Sequence, residues 1–141
     1  MAERPPLRQL ETDLLTAGQL SVEDIKTLAA DGVKTLIFNR PDGESEDQPA
    51  MSELQKTAED LGMQWVHQPV ISGQVTAEQG AEFGKLYAEA PKPVVAFCRT
   101  GARCGCLWAL SQKGRKSGDE LVASLQKAGF DMPDFFKRLT S

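Results

Sequence analysis

Apolar residues along this chain fall into short runs rich in β-branched side chains, divided by longer stretches with helical patterning and by polar, turn-rich segments. The runs mark strands and the longer stretches mark helices. Leu7–Leu10 and Leu14–Ala17 read as two short opening strands. Ser21-Val-Glu-Asp24 has the form of a capping box, with Asp in place of Glu or Gln, and opens a helix that stops near Gly32. Val33–Phe38 is a continuous apolar-rich run, as expected for a strand covered on both faces. Asn39–Pro49 is a loop, and Met51–Leu61 is helical with Gly62 as its C-terminal stop. Met63–His67 is the next strand. Thr76-Ala-Glu-Gln79 caps a helix reaching to about Ala90, and Pro91-Lys-Pro93 forces an extended approach to a strand at Val94–Phe97. Helices follow at 102–113, at 118–128 behind a capping box from Ser117 to Glu120, and at 133–139.

This alternation predicts a three-layer αβα domain with a mainly parallel central sheet. A length of 141 residues suits one domain, spanning 1–141, and 40% hydrophobic residues can fill an ordinary core. In such sheets the ligand crevice lies outside the carboxyl ends of the strands. Three segments emerge there: Asn39–Gly43, His67–Gly73 and the loop that starts at Cys98.

Residues 94–106 carry most of the chemistry: Val-Val-Ala-Phe-Cys-Arg-Thr-Gly-Ala-Arg-Cys-Gly-Cys. A cysteine that leaves a strand and faces the first turn of a helix meets free backbone N–H groups and the positive end of a helix dipole. Arg99 and Arg103 add full positive charge. This environment favours thiolate over thiol and makes Cys98 a nucleophile. The same cradle, built from Arg99, Thr100, Gly101, Ala102 and Arg103, binds a tetrahedral anion. Arg103 offers the planar fork an oxyanion needs. Arg99 either joins it or points outward to pair with an acid of the Asp42–Asp47 segment. A strand-end cysteine is otherwise often a small buried hydrophobe, but two flanking guanidinium groups do not suit a core position.

All three cysteines lie within 98–106, an odd cluster that makes a poor disulfide framework and fits a reducing compartment. Cys104 either packs at the helix start or serves as a relay thiol that resolves an oxidised or persulfidated Cys98, and Cys106 packs beside it. Cys98, Cys104, Cys106 and His67 lack paired-cysteine zinc spacing, so neither a metal nor another cofactor is expected. His67, the single histidine, is either a hydrogen-bonded strand-end residue or a group that tunes the thiolate. Asn39-Arg-Pro-Asp-Gly-Glu-Ser-Glu-Asp47 is either a solvated turn or a lid that brings Asp42 in as a general acid. Its four carboxylates would repel a dianionic substrate if they lay over the pocket. A net charge of −4 gives no footprint for nucleic acid or an anionic membrane. The opening Met-Ala-Glu-Arg-Pro-Pro lacks the apolar stretch of a leader, and no segment approaches the roughly 20 apolar residues that span a bilayer. A cytoplasmic protein is expected.

The combination of Gly18-Gln-Leu-Ser21, Phe38-Asn-Arg-Pro-Asp-Gly-Glu44, Gln68-Pro-Val70 and Cys98-Arg-Thr-Gly-Ala-Arg103 followed by Leu107-Trp-Ala-Leu110 resembles a bacterial family. It is the phosphatase-like domain found alone or fused to the beta-lactamase-hydrolase-like (persulfide dioxygenase) enzymes, and the resemblance covers about residues 7–112. It implies a fold similar to the dual-specificity cysteine phosphatases, and either phosphatase or sulfurtransferase activity linked to sulfide oxidation. The position after the loop arginine, usually Ser in that family, is Cys104 here. Cysteine phosphatases place five residues between Cys and Arg, whereas four separate Cys98 from Arg103, as in the tighter loop of single-domain rhodaneses. In dual-specificity phosphatases the general acid sits on the loop after the preceding strand, here about Val70–Gly73, where Ile71-Ser72-Gly73 holds no carboxylate. The resemblance and the loop length together predict a sulfurtransferase first. A Cys98 persulfide would form from glutathione persulfide or thiosulfate and pass its sulfur to a thiol acceptor or to a persulfide dioxygenase or other sulfide-oxidising partner. The alternative is a phosphomonoester hydrolase with a Cys98 phosphocysteine and Asp42 as acid. A third reading is a non-catalytic anion, Cu(I) or redox sensor.

Overall fold

The computed structural model describes residues 5–141; the Met1–Arg4 stretch read above for a leader lies outside them. Five strands form one sheet: β1 (Leu7–Glu11), β2 (Leu14–Ala17), β3 (Thr35–Phe38), β4 (Gln64–His67) and β5 (Val94–Phe97). Their order is β1-β2-β5-β3-β4, antiparallel only between β1 and β2. Six helices cover it: α1 (Val22–Ala30), α2 (Met51–Asp60), α3 (Ala77–Glu89), α4 (Ala102–Ser111), α5 (Gly118–Lys127) and α6 (Pro133–Thr140).

Alternation along the central strands sorts side chains into two cores. Leu36, Phe38, Val95 and Phe97 face Ile25, Leu28, Leu54 and Ala58 of α1 and α2. Ile37, Val94 and Ala96 face the other way, onto Phe83 of α3, Leu107 and Trp108 of α4 and Leu121 and Leu125 of α5. Both faces being covered explains why β3 and β5 read as unbroken apolar runs. Each of the larger of these side chains contributes on the order of 1.5–3 kcal/mol on burial.

Two strands start later than their apolar runs, for one physical reason. The Val33 N–H closes α1 through the Leu28 carbonyl, and the Met63 N–H closes α2 through that of Ala58, each at 2.9–3.1 Å. Gly32 and Gly62 turn the chain with φ of 94° and 81°, completing a Schellman stop at each helix. The last apolar residue of each turn therefore belongs to the helix exit, and the ladders begin at Thr35 and Gln64. α4, buried from Arg103 to Leu110, is the central helix of its layer. Gly80 of α3 lets it approach so closely that a Cβ there would sit 2.4 Å from the Leu110 Cβ.

Candidate active site

β5 delivers the chain to Cys98 in the middle of the sheet, and α4 starts three residues after Arg99. Between them the loop is held from below by the segment after β2. Cys98 N–H donates to the Ala17 carbonyl at 3.3 Å, and Gln19 N–H donates to that of Arg99 at 3.1 Å. Gly101 takes φ of 90° as the N-cap of α4, with the Ala17 oxygen 3.3 Å from where its Cβ would lie. A left-handed conformation and a tight neighbour together make glycine the residue that fits here.

The loop closes over a fully buried Cys98, whose Sγ accepts the Gly101 N–H at 3.1 Å. Its pKa is pushed down to about 5. The largest cause is the Cys104 thiol, which donates to the anion; burial opposes it, and the N–H groups of Cys104, Arg103 and Gly101 add to it. Cys98 is therefore a thiolate at neutral pH. Cys104 carries one proton between two acceptors, the Cys98 anion and Asn39 Oδ1 at 3.2 Å. Burial first, and then the neighbouring Cys98 anion, push the Cys104 thiol up, so it stays a donor. Cys106 is pushed up to about 12 by burial and rests 3.8 Å from the Met132 sulfur, a packing position.

Arg103 is almost fully buried. Its Nη1 and Nη2 grip the two oxygens of Glu44 at 2.8 and 2.9 Å, and Nη1 also donates to the Val70 carbonyl at 2.9 Å. Nε makes no hydrogen bond to the described residues, which leaves that edge for an incoming anion. Glu44 is held by a second buried guanidinium, Arg40, whose Nε lies 2.8 Å away. Arg40 spends its remaining nitrogens on Gln19 Oε1 at 2.9 Å and Ser45 Oγ at 2.8 Å. Arg103 before all else, with Arg40, brings the Glu44 carboxyl down to about 2. The stretch after β3 is thus an ordered brace against the loop arginine, not a freely solvated turn.

That brace corrects the expected charge conflict. Glu44 is neutralised between two arginines, and Asp47 accepts from Ser45 Oγ at 2.6 Å. Asp42 accepts the Met51 N–H at 3.1 Å, at the amino end of α2. A cleft of about 260 Å³ opens above the loop, with Arg40, Arg99 and Arg103 against the single carboxylate of Glu44. Thr100, Ala102, Ser45 and Ser72 complete it. Of the expected loop residues, Arg99, Thr100, Ala102 and Arg103 line the cleft, whereas Cys98 lies fully buried and Gly101 is not part of the lining. Arg99 is exposed on the rim and makes no ion pair with the described residues. Asp42 does not line the cleft, because the turn after Pro41 aims its carboxylate along the chain at Met51. His67 is occupied elsewhere, with Nε2 3.0 Å from the Arg40 carbonyl and its ring stacked on Phe38 at 5.3 Å between centroids. Among the described residues no group of three His, Cys, Asp or Glu side chains converges as a metal site.

Arg40, Glu44 and Asn39 lie in a loop the sequence placed at the ligand edge, but none of the three was given an individual role there. Their signal was position: all three follow β3 at the carboxyl edge, where the sheet presents its ligands. Gln68 joins them from the end of β4, accepting from Asn39 Nδ2 at both its backbone carbonyl, 3.0 Å, and Oε1, 3.3 Å.

A cysteine and a guanidinium on one anion-sized loop, spanning a sheet edge and a buried helix, accompany a fold of the phosphatase-like α/β class. More narrowly, the chain belongs to the family described as "Beta-lactamase hydrolase-like protein, phosphatase-like domain", which it matches over residues 6–115. It is 34% identical over 124 residues to a beta-lactamase hydrolase-like protein of Agrobacterium fabrum, covering 88% of this chain and 27% of that one. A Xylella fastidiosa protein of the same name is 31% identical over 121 residues, covering 84% and 28%. The chain thus spans a little over a quarter of the length of these curated relatives. A phosphatase candidate from Neisseria meningitidis superposes with a TM-score of 0.84 at 35% identity, over 94% of both chains. The core catalytic domain of the PP-IP phosphatase SIW14 from S. cerevisiae shares the fold, with a TM-score of 0.76 at 12% identity over 99% of this chain and 86% of that one.

Proposed function

We propose that this chain hydrolyses phosphomonoesters through a covalent Cys98 intermediate. The observation that carries the reading is the acidified Cys98 sulfur beneath an N–H-lined loop whose arginine is braced from behind. Arg103 Nε and the loop N–H groups hold the non-bridging oxygens. Cys98 Sγ attacks phosphorus in line, the P–O bond to the leaving group breaks, and the oxygen departs with that electron pair. Water then attacks the phosphocysteine, the S–P bond breaks, and inorganic phosphate leaves a regenerated thiolate. Fixed dipoles and a fixed guanidinium stabilise charge that spreads over the phosphoryl oxygens in both steps.

Sulfur transfer is a second reading, favoured by two features: the four-residue spacing and the lack of a protonated carboxyl in the cleft. Cys98 would break the S–S bond of thiosulfate, release sulfite and hold a persulfide for an acceptor thiol such as glutathione. Either reaction needs a reduced thiol, which supports a reducing compartment such as the cytoplasm as its working location; among the described residues no helix is long and apolar enough to cross a membrane.

Intact-protein mass spectrometry decides between them. A rapid quench with phenyl phosphate is expected to add one phosphoryl group to the wild type and none to Cys98→Ser. A sulfur atom gained from thiosulfate, with no phosphoryl adduct from any ester, would replace the first reading with the second.

A further inference from the structure

A second cavity, of about 410 Å³, meets the catalytic cleft along Ser72, Ala102 and Arg103, which line both. It lies between the loop after β4 and α6, with Val75 and Phe135 among its apolar walls and Cys106, kept neutral by burial, beside them. Ligand sites commonly occupy about 300–1,000 Å³, and an aromatic ring needs roughly 150 Å³, so an aryl group with a substituent fits. Ile71, the chain neighbour of Ser72, is 56% exposed, a large apolar residue left in water.

Arg138 supplies the cavity's charge. It donates one N–H to the Val75 carbonyl at 2.7 Å and holds its guanidinium 5.8 Å over the Phe135 ring. It makes no ion pair with the described residues, although Asp134 also lines the cavity. Its unpaired fork therefore remains available to an anion lying along Phe135.

The proton inventory of the cleft points the same way. Glu44 is held ionised by two arginines and Asp42 faces α2, so among the described residues no protonated carboxyl lines the cleft beside the leaving oxygen. A phenolate, with a pKa of about 10, leaves unaided far more readily than an alkoxide, whose parent alcohol is nearly as weak an acid as water.

We infer that this cavity receives the aryl body of a phosphorylated phenol bearing a second anionic group, with Phe135 reading the ring and Arg138 the charge. The inference rests on the hydrolase reading above and names its substrate class.

Non-hydrolysable phosphonates test it apart from turnover. By titration calorimetry on the wild type, phenylphosphonate is expected to bind about tenfold tighter than methylphosphonate. A para-carboxylate should add about threefold more. Phe135→Ala should erase the first gain and Arg138→Gln the second. Arg138 is exposed, so its variant keeps the test sharp if Phe135→Ala lowers stability. Equal binding of the methyl and phenyl compounds, or gains untouched by both variants, would overturn the subsite. Phenyl phosphate turnover is measured in parallel. Discriminating binding without turnover leaves the subsite standing and removes the hydrolase reading, whereas turnover with indiscriminate binding removes the subsite alone.

Discussion

Glu44→Gln separates two roles that one carboxylate can play against Arg103: a brace that aims the guanidinium, or a plug that competes with substrate. The carboxylate makes three charge-assisted contacts of 2.8, 2.8 and 2.9 Å with Arg40 and Arg103. Lowering a carboxyl from 4.5 to about 2 corresponds to a preference of about 3 kcal/mol for the charged form. Glu44 is partly open to water, its side chain 27% exposed, and screening brings the net loss on substitution to about 1–2 kcal/mol. The sign follows from linkage. The folded carboxyl titrates below the unfolded one, so the stabilisation is complete above about pH 5 and fades as pH falls toward 2. Urea unfolding of wild type and Glu44→Gln should show the full gap at pH 7 and only roughly 40% of it at pH 3. Phenyl phosphate kcat/KM should fall by about 10–100-fold, because a mispositioned arginine loses part of its transition-state contact. A gap that does not change with pH would refute the electrostatic account, and a rise in kcat/KM would show that Glu44 is a plug.

Other consequences are sharp. Ultraviolet thiolate absorbance of Cys98, isolated as the difference from Cys98→Ser, should titrate near pH 5; a midpoint near that of a free cysteine, about 8.5, would remove the activated nucleophile. Cys104→Ala should move that midpoint upward and Cys104→Ser should restore it, since a hydroxyl replaces the S–H donor; an unmoved midpoint in Cys104→Ala would mean that the backbone N–H groups suffice. Gly101→Ala places a Cβ at positive φ against the Ala17 carbonyl, and should cost about 1–3 kcal/mol in thermal unfolding together with most of the turnover; an equally stable and active variant would contradict the loop geometry. Asp42→Ala should lower stability by about 0.5–1 kcal/mol through the freed Met51 N–H while leaving phenyl phosphate kcat unchanged. A large fall in kcat there would return Asp42 to the chemistry.

The layered architecture and the Cys98–Arg103 loop were legible along the chain because both rest on local information. Alternating apolar positions assign faces within four-residue strands, capping boxes at Ser21, Thr76 and Ser117 open helices where their hydrogen bonds form, and a strand–Cys–loop–Arg–helix string needs no distant partner to acidify a thiol. The loop after β3 was not legible in the same way. Asp42, Glu44, Glu46 and Asp47 look alike in sequence, yet one is gripped by two buried arginines, one caps α2 and one accepts from Ser45. What separates them is which neighbour the parallel pairing of β3 with β5 brings across the edge, and contacts at a separation of 59 residues, such as Glu44 with Arg103, leave no local trace. The same holds for α6, whose Phe135 and Arg138 line the neighbouring cavity because α6 packs against α5. Sequence alone thus marked Cys98 as the candidate nucleophile and determined the layers that present it. Tertiary packing decided which carboxylate holds the arginine, which side chains line the cleft, and that among the described residues Glu44 is the one carboxylate there.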